Sequence, residues 1–200
     1  MRVLFARHGE SEANVRHEIA NRDSTHALTA TGRLQAEALG ASLGSQRVTR
    51  IVSSPLRRAV ATSEIVGRVL GVPVGLAEAL REYDCGVFEG RSDEAAWKAH
   101  AEVQEQWLEH GRADARMDGG ESLADMHARF ALFVRDLVAG SGRDDCVVLI
   151  GHGGLYRCVL PGILVGIDPN VARDRGLGYA RYVIADARPD GVLECVDWPA

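Results

Sequence analysis

Two histidines, His8 and His152, stand in matched settings far apart in a chain of 200 residues. Each follows a short apolar run, residues 3–6 (V-L-F-A) and 146–150 (C-V-V-L-I), and each is followed by glycine. Arg7 precedes the first histidine; Gly151, Gly153 and Gly154 surround the second. Arg57 and Arg58 form a further cationic pair after a third short apolar segment. Imidazole and guanidinium together suit a phosphoryl group. Arginine stays charged and binds phosphate in a bidentate fork. Glycines let backbone N–H groups approach an anion, and a helix beginning there adds its dipole. A neutral imidazole can attack phosphorus, and a protonated second one can stabilise the equatorial oxygens.

Other readings compete. A lone strand-end histidine is ordinarily just satisfied by hydrogen bonds; two in matched settings beside arginines point to a site. A zinc site built from His8, His152 and an acid such as Glu82 is the rival chemistry. Neighbouring arginines would repel the cation, and the chain has no H-E-x-x-H spacing.

The elements that must place these residues follow from periodicity. The two His-bearing runs read as buried strands of a parallel sheet, whose carboxyl edge is where open α/β sheets bind ligands. Residues 11–27 form a polar loop with a helical turn, counting Asp23 and His26 among its members. Thr29 caps a helix with Gly32, Ala36, Leu39 and Leu43 as its apolar stripe, stopped at Gly44. A strand from about Val48 to Ser53 leads to Ser54 and Pro55, an N-cap and first-turn proline for a helix to Leu70 burying Ala59, Ser63, Val66 and Leu70. Val72 to Leu76 is another strand. Residues 77–120, with a helix from Asp93 to Glu109 carrying Trp97 and Trp107, read as a flap over the site rather than core. Ser122 and Asp125 make a capping box for a helix with Leu123, Met126, Phe130, Phe133 and Leu137 inward. A helix from about Leu155 to Gly166 is broken by Pro161, and residues 182–185 and 192–196 close the sheet. The expected fold is α/β in three layers, a mainly parallel sheet flanked by helices, as one domain spanning 1–200.

Composition restricts the function. A net charge of -5 disfavours a general nucleic-acid or anionic-membrane binder. The chain has no apolar run of membrane-spanning length and no signal-peptide pattern, so a cytoplasmic protein is expected. Cys85, Cys146, Cys158 and Cys195 are scattered, as reduced structural thiols are. No metal and no organic cofactor is called for. The expected partner is a small phosphorylated substrate; a homodimer is compatible with the chain.

These residues resemble a known family. Arg7-His8-Gly9-Glu10-Ser11, with Asn14 after it, is similar to the R-H-G-E-[ST]-x-x-N signature of the histidine phosphatase superfamily, the phosphoglycerate-mutase-like proteins. Leu28-Thr29, Gly32 and Gln35-Ala36 match its L-T-x-x-G-x-x-Q-A, and Ser53-Ser54, Leu56, Arg58-Ala59 and Thr62 match S-S-x-L-x-R-A-x-x-T. Leu80, Glu82, Gly86 and Glu89-Gly90 resemble the L-x-E…G-x-x-E-G segment, Gly119-Gly120-Glu121-Ser122 matches G-G-E-S, and Gly151-His152-Gly153-Gly154 the second histidine motif. R-H-G alone is weak; six motifs in order over nearly the whole chain are specific.

The resemblance implies a phosphoglycerate-mutase-like fold and roles by position. His8 would be the phosphorylated nucleophile. Arg7, Arg58 and His152 would hold the phosphoryl oxygens, Arg58 being chosen over Arg57 by the match alone. Glu82 would protonate the leaving oxygen and then activate water. Asn14, Glu121 and Gly153 would contact substrate, although a turn residue and a helix-dipole acid are the plain alternatives for the first two. The implied activity is hydrolysis of a phosphomonoester; a phosphomutase is the runner-up, disfavoured by the short flap, and a non-catalytic phospho-ligand module the third reading. The chain departs from the family at Tyr83-Asp84-Cys85, across residues 19–26 and at Tyr179-Ala180-Arg181-Tyr182, positions that bear on which substrate is taken. His17, His26, His100, His110 and His127 read as surface residues, His26 lying closest to the site. Trp97 and Trp107 read as flap packing.

Overall fold

The computed structural model describes residues 1–22, 25–168, 170–171 and 176–199. Asp23, counted in the polar loop, lies outside them. The strands are β1 (Arg2–Arg7), β2 (Arg50–Ser53), β3 (Val74–Leu76), β4 (Cys146–Gly151), β5 (Leu164–Val165), β6 (Tyr182–Ala187) and β7 (Leu193–Asp197). They form a seven-stranded sheet in the order β3-β2-β4-β1-β6-β7-β5. β3, β2, β4 and β1 run parallel, whereas β6 is antiparallel to both β1 and β7.

Strand geometry explains the layering. Successive side chains point to opposite faces, so Val3 and Phe5 enter one apolar cluster while Leu4 and Ala6 enter another. Val147 and Leu149 of β4 follow the first pair, Val148 and Ile150 the second. Both faces are covered, which is why these strands are apolar throughout rather than alternating. After the short helix α1 (Glu12–Val15), helices α2 (Ala30–Leu43) and α3 (Arg57–Leu70) bury Leu39, Leu43, Ala59 and Val66 against one face. Helices α5 (Leu123–Ala139) and α6 (Gly153–Ile163) bury Met126, Phe130, Tyr156 and Val159 on the other. The fold is therefore α/β, a mainly parallel sheet between helical layers.

Most expected elements are present, with physical reasons for the differences. Thr29 caps α2, its hydroxyl accepting from Gly32 N–H at 2.9 Å, but beyond Gly44 a 3-10 turn runs to Gln46 before Arg47 turns left-handed. Helix α3 begins at Arg57 rather than Pro55: Ser54 Oγ accepts from Leu56 N–H at 3.3 Å and closes a turn before the helix. Leu70 is only half-buried at its end. Pro161 does not break α6, which continues to Ile163. The capping box of Ser122 and Asp125 is intact, and Val134 joins the inward face of α5 that the spacing had left out. The stretch 77–120 is not only a cover. Leu80, Tyr83, Cys85, Ala96, Trp107 and Met117 belong to the same cluster as Phe5 and Leu149. Its helix α4 (Glu94–Leu108) is capped by Asp93, which accepts from Ala96 N–H at 3.1 Å. No helix among the described residues is long and apolar enough to cross a membrane.

Two glycines fix the loop after β1 against α2. A Cβ on Gly9 would lie 2.3 Å from Gly32 O, and one on Gly32 only 1.9 Å from Glu10 O. Gln35 Oε1 accepts from Glu10 N–H at 2.8 Å, and Thr29 donates its hydroxyl to Glu10 Oε1 at 2.7 Å. Alanine is the better helix former by about 1 kcal/mol, but overpacking costs about 1–3 kcal/mol or more, so sterics win. Gly32→Ala is expected to lower the thermal midpoint by several degrees. Gly44→Ala is expected to leave it nearly unchanged, because nothing lies within 4 Å of the added carbon. Equal midpoints for the two variants, measured by calorimetry, would remove this contact from the account.

Candidate active site

Parallel register brings the two histidines together. Arg7 of β1 is aligned with Gly151 of β4, so His8 and His152 leave the sheet at the same level. His8 N–H donates to Gly151 O at 3.0 Å, and the two rings stand 5.1 Å apart, edge to face. Both are buried. Strand β2, parallel to β4 on its other side, delivers α3 and with it Arg58 to the same edge. Arg57 is exposed and donates to Thr25 O, so of the two arginines only Arg58 enters the site.

The His8 ring is held by two contacts. Its Nδ1 lies 2.6 Å from Gly9 O, which only an N–H can satisfy, so Nδ1 carries the proton and Nε2 the lone pair. Arg58 Nε donates to that Nε2 at 3.1 Å, while its Nη1 donates to Ala20 O at 2.6 Å. Burial, then Arg58 and Arg7, push the His8 pKa well below the ordinary imidazole value. At neutral pH the ring is therefore an uncharged base with its free nitrogen aimed at a guanidinium. Burial also lowers Arg58, to about 10, which leaves it fully charged.

His152 is likewise held neutral by burial, then by Arg58, His8, Arg7 and Arg129. The protonated second imidazole considered from the sequence concerned a captured phosphate; without one, these surroundings favour the neutral ring. Leu56 N–H donates to Ser54 Oγ, whose hydroxyl can then donate to His152 Nε2 at 2.8 Å. That chain leaves the proton on Nδ1, which is buried without a hydrogen-bond partner, as is Arg7 Nε. Such groups cost about 1–3 kcal/mol when unpaired, and a bound anion would offset it. Arg7 is otherwise fixed by Leu177 O at 2.8 Å and by the ring of Tyr179, 4.0 Å beneath its guanidinium carbon.

Glu82 reaches the same cavity. Its carboxylate accepts from Tyr83 N–H at 3.2 Å and from Gly154 N–H at 3.0 Å, at the start of α6. Burial raises its pKa, opposed first by Arg58 and then by the backbone donors. The glycines of the second motif serve mainly as clearances for side chains. A Cβ on Gly153 would touch the Arg7 guanidinium at 3.0 Å, and one on Gly154 the Glu82 carboxylate at 2.8 Å.

The cavity of about 310 Å³ is lined by Arg7, His8, Asn14, Arg58, Glu82 and Gly153, among others. Seven of the eight site residues named from the sequence thus converge, His152 through its contact with the His8 ring. Asn14 commits its Oδ1 to Ser11 N–H and Oγ, leaving its amide NH2 for the cavity. Glu121 lies outside this cavity and lines an adjoining one with Glu82 and Asn21. Arg129 grips both its oxygens, at 2.8 and 3.0 Å, and also donates to Ala79 O and Arg81 O. Glu121 therefore anchors the loop that carries Glu82. No group of three or more His, Cys, Asp or Glu among the described residues is placed to hold a metal ion.

Sequence reasoning missed one wall. Trp97, His100, Gln104 and Arg157 line the cavity. His100 is not a surface residue: its Nε2 lies 2.7 Å from the Tyr83 hydroxyl. Trp97, His100 and Gln104 recur at helical spacing, and an arginine interrupts the apolar run of α6; those were the available signals. His26 and His127 are also half-buried, His26 against Glu18 at 2.8 Å, whereas His17 and His110 are exposed. Trp107 is core, as flap packing implies, but Trp97 faces the cavity.

Known proteins resemble this chain in sequence and in fold. The family model for the histidine phosphatase superfamily (branch 1) matches residues 3–198. A probable phosphoglycerate mutase GpmB of Salmonella choleraesuis is 33% identical over 171 residues, covering 82% of this chain and 75% of that protein. The structure of mycobacterial glucosyl-3-phosphoglycerate phosphatase complexed with VO3 superimposes with a TM-score of 0.84 at 31% identity, covering 100% of this chain and 98% of that one. Bacillus stearothermophilus YhfR shares the fold, with a TM-score of 0.79 at 24% identity over 98% of this chain and 95% of its own. A buried histidine pair facing arginines at the carboxyl edge of this sheet, together with these matches, leads to one assignment: the chain belongs to the histidine phosphatase superfamily and is an enzyme of the phosphatase or phosphomutase kind.

Proposed function

We propose that the protein hydrolyses the phosphomonoester of a small metabolite through a phosphohistidine on His8, without metal or organic cofactor. The observation that carries this reading is the His8 ring itself, neutral, with Nε2 unprotonated 3.1 Å from Arg58 Nε. In the first step His8 Nε2 attacks phosphorus and the ester P–O bond breaks. The leaving oxygen takes the proton of Glu82. Arg7, Arg58 and His152 Nδ1–H hold the three phosphoryl oxygens, supplying the charge a metal ion would otherwise bring. In the second step water attacks phosphorus and gives one proton back to Glu82, a P–O bond forms as the P–N bond breaks, and inorganic phosphate leaves His8 neutral. Asn14 and Gly153 contact the substrate, and the whole chain acts as one domain with 77–120 closing over it. A soluble cytoplasmic enzyme suits a small phosphorylated substrate.

The likeness to a probable phosphoglycerate mutase supports a second reading, in which another hydroxyl replaces water as acceptor. A panel of phosphorylated metabolites assayed in strong chelator separates them. Hydrolysis predicts inorganic phosphate as the product, with turnover that persists in chelator. Isomeric phosphate esters without phosphate release would establish the mutase; activity lost in chelator and restored by zinc or magnesium would remove the metal-free mechanism.

Glu82 carries the proton in this scheme, so its loss must depend on the leaving group. Glu82→Gln is expected to cost about a hundred- to ten-thousandfold on an alkyl phosphate. On p-nitrophenyl phosphate, whose phenolate leaves unprotonated, the loss should be much smaller where phosphorylation of His8 limits the rate. The pH profile follows from the same shifts. A raised Glu82 pKa keeps the acid protonated above the usual carboxyl range, and kcat/KM falls as pH rises through it. A lowered His8 pKa keeps the nucleophile neutral below the usual imidazole range, so its acid limb lies below 6.5. The alkaline limb should vanish in Glu82→Gln. Equal losses on both substrates, or an unchanged limb, would move the acid role to another group.

A further inference from the structure

Arg7 is held in place by groups that carry no charge. Its Nη1 donates to Leu177 O at 2.8 Å, and its guanidinium carbon lies 4.0 Å from the centre of the Tyr179 ring. Its Nε is buried without a hydrogen-bond partner. A carboxylate could hold an arginine as firmly, but it would also offset the charge and repel a phosphoryl group. The π face of a tyrosine attracts the cation without consuming an N–H donor. Gly153 adds a second uncharged contact: a Cβ there would lie 3.1 Å from the same guanidinium carbon.

The Tyr179 ring stands on a segment that is itself pinned. Leu177 is buried in the larger apolar cluster, and Trp198 donates its indole N–H to Gly176 O at 3.0 Å. Arg181 N–H closes a turn on Gly178 O at 3.2 Å, just before β6. Ala180, next to Tyr179, has a φ of 53°, in the left-handed region that residues with a side chain rarely adopt. Its N–H donates to Arg7 O at 3.1 Å and to His8 O at 3.3 Å. Strain of this kind persists where the surroundings over-determine it, and it collects at functional sites. Here it keeps Tyr179 beside the end of β1, from which Arg7 projects. Tyr179 is not among the described residues that line the cavity, so its effect on a substrate passes through Arg7.

We propose that Tyr179 is a positioning residue for the phosphoryl group: its ring face fixes the Arg7 guanidinium before substrate arrives. An arginine gives up much rotamer freedom when it is immobilised, and ordering it in advance strengthens binding. The departure from the family pattern at Tyr179 then bears on the phosphoryl group and not on the rest of the substrate. The claim rests on Arg7 holding that group, as in the function proposed above, but its main readout is binding of inorganic phosphate, which needs no turnover. By calorimetry, Tyr179→Leu should weaken phosphate binding about three- to thirtyfold, the range from a partly to a fully desolvated cation–π contact. Tyr179→Phe, which keeps the ring, should retain affinity to within about twofold. For Tyr179→Leu, kcat/KM should fall by similar factors on an alkyl phosphate and on p-nitrophenyl phosphate, which share only the phosphoryl group. A second measurement is made on the free wild type by nuclear magnetic resonance. The order parameter of the Arg7 Nε–H bond should be about 0.85, that of rigid backbone, against below about 0.6 for a mobile side chain. Undiminished phosphate binding in a folded Tyr179→Leu protein, an equal loss in Tyr179→Phe, unequal losses on the two esters, or a mobile Arg7 in the free wild type each overturns the proposal. If Tyr179→Leu does not fold, the Tyr179→Phe affinity and the Arg7 order parameter decide it. Weakened phosphate binding in Tyr179→Leu with no ester hydrolysed by the wild type removes only the phosphatase reading; hydrolysis by the wild type with phosphate binding unchanged in Tyr179→Leu removes only the role of Tyr179.

Discussion

The site depends on a neutral imidazole pinned between a carbonyl and a guanidinium. Gly9 O takes the Nδ1 proton of His8, and Arg58 Nε addresses the opposite nitrogen. Either contact alone would leave the tautomer or the direction of attack unset. Together they aim one lone pair at the place where an anion would be held. Much of the surrounding architecture maintains that geometry. Parallel register sets His8 and His152 level. Gly9 packs on Gly32 so closely that no side chain fits between the loop and α2. Thr62, on the first turns of α3, accepts from Gly9 N–H at 3.1 Å and donates to Arg58 O at 2.8 Å, tying the loop to the helix that carries the arginine.

Electrostatics makes this convergence of cations and neutral imidazoles costly on its own and favourable around an anion. Arg7 and Arg58 are cations drawn into a site where burial works against their charge, and both histidines are forced neutral there. Glu82, in the same surroundings, is pushed towards its protonated form. These are the shifts that a phosphate dianion would reverse for the cations and reinforce for the carboxyl group. The same field that binds the phosphoryl group therefore prepares the acid beside it. The loop bearing Glu82 is tethered separately, through Arg129 and Glu121, while Tyr83 and Gly154 N–H groups hold the carboxylate itself.

The catalytic edge was legible because strands announce themselves and their ends are short. An apolar run followed at once by Arg7-His8-Gly9 leaves little freedom in where the histidine goes, and α/β topology supplies the rest. Arg58 was half legible: helical position brought both arginines to the edge, but only packing shows Arg57 turned to Thr25 and solvent. The structural bond of Glu121 was not legible, because an acid before a helix N-cap has no sequence mark of its partner, and Arg129 lies two turns into the following helix. The wall of Trp97, His100, Gln104 and Arg157 escaped for another reason. Its members are ordinary helix residues, and they become a surface only when α4 and α6 come to line one cavity. A polar stripe on an exposed helix and one lining a cavity look alike until the tertiary contact is known.

The central claim is that His8 accepts the phosphoryl group, and its most direct measurement is chemical. The protein is mixed briefly with a phosphomonoester it turns over, quenched in base to preserve phosphoramidate, and digested for site-resolved mass spectrometry. The account predicts an acid-labile phosphate on the His8 peptide, formed and lost at rates compatible with turnover, and absent from a folded His8→Ala protein. Phosphate found on a different residue, or label undiminished in His8→Ala, would contradict it.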